Sequence, residues 1–447
     1  MSDVMDIYRS KLISAEDAAA MVKSNDTVDY YAFTASSQYF DAALAQRAGE
    51  LENVRIRSEL RVAPPMQALL ADTTGRAFYL ESLFRGPIEN FVPVERSTAI
   101  PARLSEYEKL FRDGYIGADF AAFMVSPPDN DGYLHFCPSP GLAKADAEMA
   151  GCFFAEINET YFPMRGTDDC KIHISKVGHV IEGANPPMFP VPDPPASEVD
   201  AKIADAIMGQ LCDGACIQIG YGSVPMAAVN LIAESDLKDL GIHTEVLSDG
   251  IMRLCKAGRV TGAKKTTDRG KVVAGILLGS TEFYNWVRDC PDVYGASSSY
   301  TNNPNVMSQN DNLVTVNACL EVDLTGQINA ESIGARLVSG TGGQLDFMIG
   351  TMLSKNGKAI LCCPSTYPDK QGKTRSRIVS RLTLGAAVTT PRSCVQYIAT
   401  EYGIVNLRGR NGWERSELLI SIAHPDFREE LIKEADALQI WRNRNRG

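Results

Sequence analysis

Six of the thirteen residues in GANPPMFPVPDPP, positions 183–195, are proline. Proline fixes φ and has no N–H to donate, so this stretch enters neither helix nor sheet and runs extended. A chain held extended there must fold separately on either side. The segment therefore reads as a linker between one domain over 1–182 and a second over 196–447. A length of 447 residues agrees, because it exceeds what one ordinary core organises and favours two domains of about 200 residues.

Both sides alternate helix-like and strand-like stretches. In the first, SAEDAAAMVKS offers Ser14 as an N-cap with Asp17 three residues on. NDTVDYYAF reads as a strand, SSQYFDAALAQRAGEL as a helix and LENVRIRSEL as a strand in which Val54 and Ile56 alternate with charges. AAFMV then runs into SPPDNDGY, where Pro127, Pro128 and the Asp131–Gly132 pair predict a strand–turn–strand hairpin. In the second, SEVDAKIADAIMGQL opens a helix on Ser197. ACIQIG, VVAGILLGS, LVTVNACLEV and AILCCPS read as strands, and MAAVNLIAES as a helix. The last segment, PDFREELIKEADALQIWRNRNRG, reads as a helix whose Arg-rich end stays in solvent. This rhythm predicts an α/β fold of two domains, each an open, twisted, mostly parallel sheet flanked by helices.

Several classes are excluded by composition. A net charge of −11 argues against a nucleic-acid partner, which needs clustered Lys and Arg. No apolar run approaches the ~18–20 residues that span a bilayer, so no membrane partner is expected. The opening residues MSDVMDIYRSKLISAEDAAA lack the apolar core of a signal peptide. Eleven cysteines without a CxxC pair fit reduced thiols in a cytoplasmic enzyme. Five histidines without an HxH or HExxH cluster support no metal site.

What remains is a carboxylate and two glycine loops. Glu245 lies in GIHTEVLSDG, between a histidine and a short polar turn. IQIGYGSVP carries Gly220 and Gly222, and SGTGGQLDF carries Gly340, Gly342 and Gly343. The first loop departs from a dinucleotide-binding turn, because Pro225 stands where the third glycine is needed. A tight turn and a loop cradling part of coenzyme A both fit it. The second can present consecutive N–H groups to a developing oxyanion, or it is a bend before the helix LDFMIGTML. Glu321 and Glu401 rival Glu245 as the reactive carboxylate. A glutamate with its ordinary pKa of about 4.3 is ionised at neutral pH and needs no base to attack a carbonyl. GxSxG is absent, which counts against a serine esterase.

GIHTEVLSDG, KAGRVTGAKK, NDNLVTVNACLEVDLTGQINAES, SGTGGQLDF, YIATEYGIVNLRG and LISIAHPDFREELIKEA, in that order, resemble the acetyl-CoA hydrolase/transferase family. The likeness is nearest its 4-hydroxybutyrate and butyryl-CoA:acetate CoA-transferase branch. It spans essentially the whole chain and is densest from about residue 217. The resemblance implies a class I CoA-transferase with two NagB/RpiA-like α/β domains and a ping-pong reaction through an acyl-glutamyl anhydride and a glutamyl-CoA thioester. It implies Glu245 as nucleophile and Gly343 as the oxyanion N–H, with Asn303 and Glu401 also in the catalytic set. CoA contacts fall on Gly220, Tyr221, Gly222, Ser223, Val224 and Gly342. Coenzyme A or acyl-CoA enters as substrate, with no permanently bound cofactor. The implied partners are acyl-CoA (acetyl-, butyryl- or succinyl-CoA) and small carboxylic acids such as 4-hydroxybutyrate, in a homo-oligomer. A dicarboxylate acceptor such as itaconate, an acyl-CoA hydrolase on the same glutamate, and a non-catalytic CoA-binding subunit are the alternatives. EINETYFPMRG at 156–166 departs from the asparagine-rich segment of many relatives, and no first-domain contact is carried over.

Overall fold

The computed structural model of this chain describes residues 2–62, 64–183 and 185–442. The Arg-rich end expected in solvent lies, from 443 on, outside the described residues. Two compact units form: residues up to 191 with 273–301, and 192–272 with 302 onward. The excursion 273–301 differs from the contiguous division read from the sequence. Backbone hydrogen bonds account for it, from Gly141 N–H to Gly275 O (3.0 Å), Ser298 N–H to Gly141 O (2.9 Å) and Gly295 N–H to Arg165 O (2.8 Å).

In the first unit, β1 (Thr27–Ala32), β2 (Val54–Glu59), β3 (Phe78–Phe84), β4 (Ser97–Ala99), β5 (Phe120–Val125), β6 (Cys152–Ile157) and β7 (His179–Glu182) form one sheet. Their order is β4-β3-β2-β1-β5-β6-β7, and every neighbouring pair is parallel. Helix α1 (Ala15–Ala20) starts as expected, with the Ser14 hydroxyl accepting the Asp17 N–H. Val28, Ile56, Phe40, Phe78 and Phe154 fill the core on one face. A parallel sheet is covered on both faces, so Arg57 and Glu59 of LENVRIRSEL are buried, while Glu52 before the strand stays exposed. Arg57 is 1% exposed, and its guanidinium donates to Glu81 at 2.7 Å and to Asp29 at 3.5 Å. The hairpin expected after β5 does not form. Tyr133–His135 pairs antiparallel with Lys171–His173 instead, because β5 is saturated on both edges by β1 and β6.

The second unit holds α2 (Glu198–Met208), β8 (Cys216–Ile219), α3 (Ser223–Glu234), β9 (Gly241–Leu247), α4 (Asp249–Lys256), β10 (Leu313–Ala318), α5 (Gln344–Leu353), β11 (Lys358–Cys362), β12 (Tyr397–Thr400), β13 (Gly403–Asn406) and α6 (Pro425–Ala437). Strands run β9-β8-β10-β11-β12-β13. Only the last of these pairs is antiparallel. Ser197 caps α2 as expected by accepting the Asp200 N–H, and Asp200 reciprocates, completing a capping box. Leu361, Ile398, Leu419 and Leu431 pack one face of this sheet. No helix or strand occurs among the described residues of 183–195. No helix among the described residues is long and apolar enough to cross a membrane. The mixed α/β class with mostly parallel sheets is the one expected.

Candidate active site

Glu245 lies within β9 itself, whose Ile242, Thr244 and Val246 are β-branched residues that favour a strand. Alternation puts His243, Glu245 and Leu247 on one face. The partner strand β8 runs parallel with Ile217 opposite Ile242. Gly220 directly follows β8, at the same end of the sheet as Glu245. This is the C-terminal edge of a parallel sheet, where ligands of open α/β folds bind.

Two elements meet the Glu245 carboxylate. Asn302, fully buried, donates from Nδ2 to Oε2 at 2.6 Å. Gly343, which precedes α5 as its N-cap, approaches so closely that an added Cβ would sit 1.9 Å from Oε2 and 2.1 Å from Asn302 Nδ2. No side chain fits there. Gly342 beside it has φ +54°, a left-handed conformation that glycine adopts at least cost. Helix α5 thus aims its positive N-terminal end near the carboxylate, but burial outweighs that attraction. Burial pushes the Glu245 carboxyl up to about 7, the Asn302 hydrogen bond opposes this, and the buried Asp346 of α5 adds to it. The expectation of an ordinary, fully ionised glutamate is therefore revised.

The other expected residues divide. Asn303 stands beside the asparagine that touches Glu245, but its own side chain accepts the Asn305 N–H at 2.9 Å. It caps the short helix Pro304–Met307. Glu401 sits in the turn between β12 and β13, where its carboxylate accepts from Ser365 N–H at 2.8 Å and Ser365 Oγ at 2.6 Å. No described hydrogen bond or ion pair joins it to Glu245. Glu321 is buried against Asn329 and Thr383. Gly220 lies where a Cβ would come within 3.1 Å of Asn317 Oδ1 and 3.2 Å of Val316 O. Gly222 has φ +149°, outside what L side chains readily adopt. Ser223 and Val224 open α3, with Val224 buried in the core. Tyr221 is 40% exposed, and its hydroxyl donates to Pro192 O at 2.9 Å. Among the described residues no cluster of His, Cys, Asp or Glu could hold a metal ion.

The chain is similar to known proteins over nearly its whole length. The acetyl-CoA hydrolase/transferase N-terminal domain matches residues 2–192, and the C-terminal domain of the same family matches 279–435. The butyryl-CoA:acetate CoA-transferase of Anaerostipes caccae is 40% identical over 441 residues, covering 98% of this chain and 99% of that one. Among solved structures, RipA from Yersinia pestis superposes with a TM-score of 0.88 at 32% identity, covering 98% of this chain and 99% of RipA. The 4-hydroxybutyrate CoA-transferase from Porphyromonas gingivalis does so with a TM-score of 0.78 at 32% identity, covering 97% and 99%. The chain belongs to the acetyl-CoA hydrolase/transferase family.

Proposed function

We propose that this protein is a CoA-transferase moving CoA from acetyl-, butyryl- or succinyl-CoA to a short-chain carboxylic acid such as 4-hydroxybutyrate or butyrate. The observation that carries the reading is a half-buried glutamate held by one amide and touched by a glycine that admits no side chain. In the proposed reaction the ionised Glu245 carboxylate attacks the thioester carbonyl. The C–S bond breaks, CoA leaves as thiolate, and an acyl-glutamyl anhydride remains. The thiolate then attacks the glutamyl carbonyl of that anhydride, releasing the donor acid and leaving a glutamyl-CoA thioester. The incoming carboxylate attacks this thioester and the steps run in reverse. Gly343 N–H donates to the oxyanion formed at each attack, which is the kind of fixed dipole that lowers such barriers most. The loop from Gly220 to Val224, with Gly342, receives the coenzyme. The enzyme needs no permanently bound cofactor and works as a cytoplasmic homo-oligomer.

Acceptor dependence tests the reading. Acyl-CoA alone is expected to release about one equivalent of free acid per site and then stop, and added butyrate or 4-hydroxybutyrate to restore steady turnover. Steady release of CoA without any carboxylate acceptor would make the protein a hydrolase instead.

A further inference from the structure

A second cavity stands apart from Glu245 in the same unit. A cavity of about 490 Å³ opens beside the segment 380–392, walled by Arg381 and Arg392 and by Leu382, Leu384, Leu438 and Ile440. Neither guanidinium has a hydrogen-bond or ion-pair partner among the described residues, in a chain whose net charge is −11. The one carboxylate on the wall, Asp323, is already filled by Thr325 and Gln327. A third guanidinium backs the pair. Arg415 donates to Thr325 O at 3.0 Å and to Arg392 O at 2.9 Å. Gly326 makes room for it, since a Cβ there would meet Arg415 Nη1 at 2.7 Å. Two guanidinium groups without ion-pair partners, beside one carboxylate already engaged by neutral donors and against apolar walls, suit an external anion on an organic body.

We propose that this cavity binds a phosphate monoester, whose oxygens match the planar fork of arginine. The monoester has two possible sources, the 3′-phosphate of coenzyme A or a separate phosphorylated metabolite. The first source rests on the CoA-transferase reading and the second does not. Thr390, two residues from Arg392 and so within about 7 Å along the chain, donates to Gln344 Oε1 at 3.0 Å. Gln344 directly follows Gly343. The segment that walls the cavity is thereby tied to the loop against Glu245.

The test compares the wild type with the Arg381→Gln/Arg392→Gln double variant, two surface changes that leave the core intact. Initial rates use acyl-CoA and acyl-dephospho-CoA, and calorimetry uses adenosine 3′,5′-bisphosphate and inorganic phosphate. If coenzyme A is the source, the wild type has a KM about tenfold or more lower for acyl-CoA than for the dephospho form. The double variant loses that preference at unchanged kcat. If the source is separate, the two donors behave alike, and adenosine 3′,5′-bisphosphate or phosphate binds the wild type but not the variant. Equal behaviour of both proteins in both assays overturns the proposal. Absence of transfer with every donor contradicts the functional reading instead, and leaves the calorimetric arm to judge the site.

Discussion

Removing the amide that grips Glu245 should change the pH at which the enzyme works. In Asn302→Ala the carboxylate loses its 2.6 Å hydrogen bond, an interaction that favours the charged form and holds the pKa down. A hydrogen bond to a charged group contributes about 1.5–3 kcal/mol. At 1.36 kcal/mol per pH unit, its loss carries the carboxyl from about 7 to about 8–9. The ionised fraction at pH 7 falls from about one half to roughly 1–10%. Since only the carboxylate attacks, the rate at pH 7 should fall roughly five- to fiftyfold and recover as the pH rises past 9. The assay is initial rate against pH from 6 to 10 at saturating acyl-CoA and acceptor, with a thermal melt confirming the fold. A rate lowered equally at every pH, with the acid limb unmoved, would refute the reasoning and assign Asn302 to the substrate.

Gly343→Ala should be more severe, because a Cβ 1.9 Å from Oε2 forces the carboxylate or the amide aside by about 1 Å. Misplacement on that scale costs on the order of a hundredfold, read as lower kcat with KM for acyl-CoA little changed. Gly222→Val places a β-branched residue at φ +149° in the loop assigned to the coenzyme. It should raise KM for acyl-CoA more than it lowers kcat, and if neither parameter moves, that loop is only a turn.

Much of this was legible in the chain because it is local. Ser14 and Ser197 announce their helices by capping chemistry, and the alternation of apolar strands with helices gives the parallel sheets. The two glycine loops were also legible, since a backbone that must approach something closely leaves glycine behind. What stayed hidden depends on tertiary placement. Asn302 and Asn303 are indistinguishable as sequence, and only the fold decides which amide faces a glutamate 57 residues away. The raised pKa of Glu245 comes from burial and Asp346, neither of which is a property of HTEVL. Arg57 reads in the sequence only as a charge alternating with apolar strand residues, and the fold pairs it inside the sheet with Glu81 and Asp29. Segment 273–301 joins the first unit through backbone hydrogen bonds to Gly141 and Arg165, which no side-chain pattern records.

The central claim is that Glu245 forms a covalent bond to the coenzyme. Incubating the enzyme with acyl-CoA and no acceptor should raise its intact mass by one CoA. Borohydride should then reduce residue 245 to the alcohol, with loss of activity, and Glu245→Gln should show neither change. Two-substrate kinetics should give parallel double-reciprocal lines, as expected when the first product leaves before the second substrate binds. Converging lines with no trapped CoA would contradict the account, leaving the acceptor acid to attack the donor directly and Glu245 at most a general base.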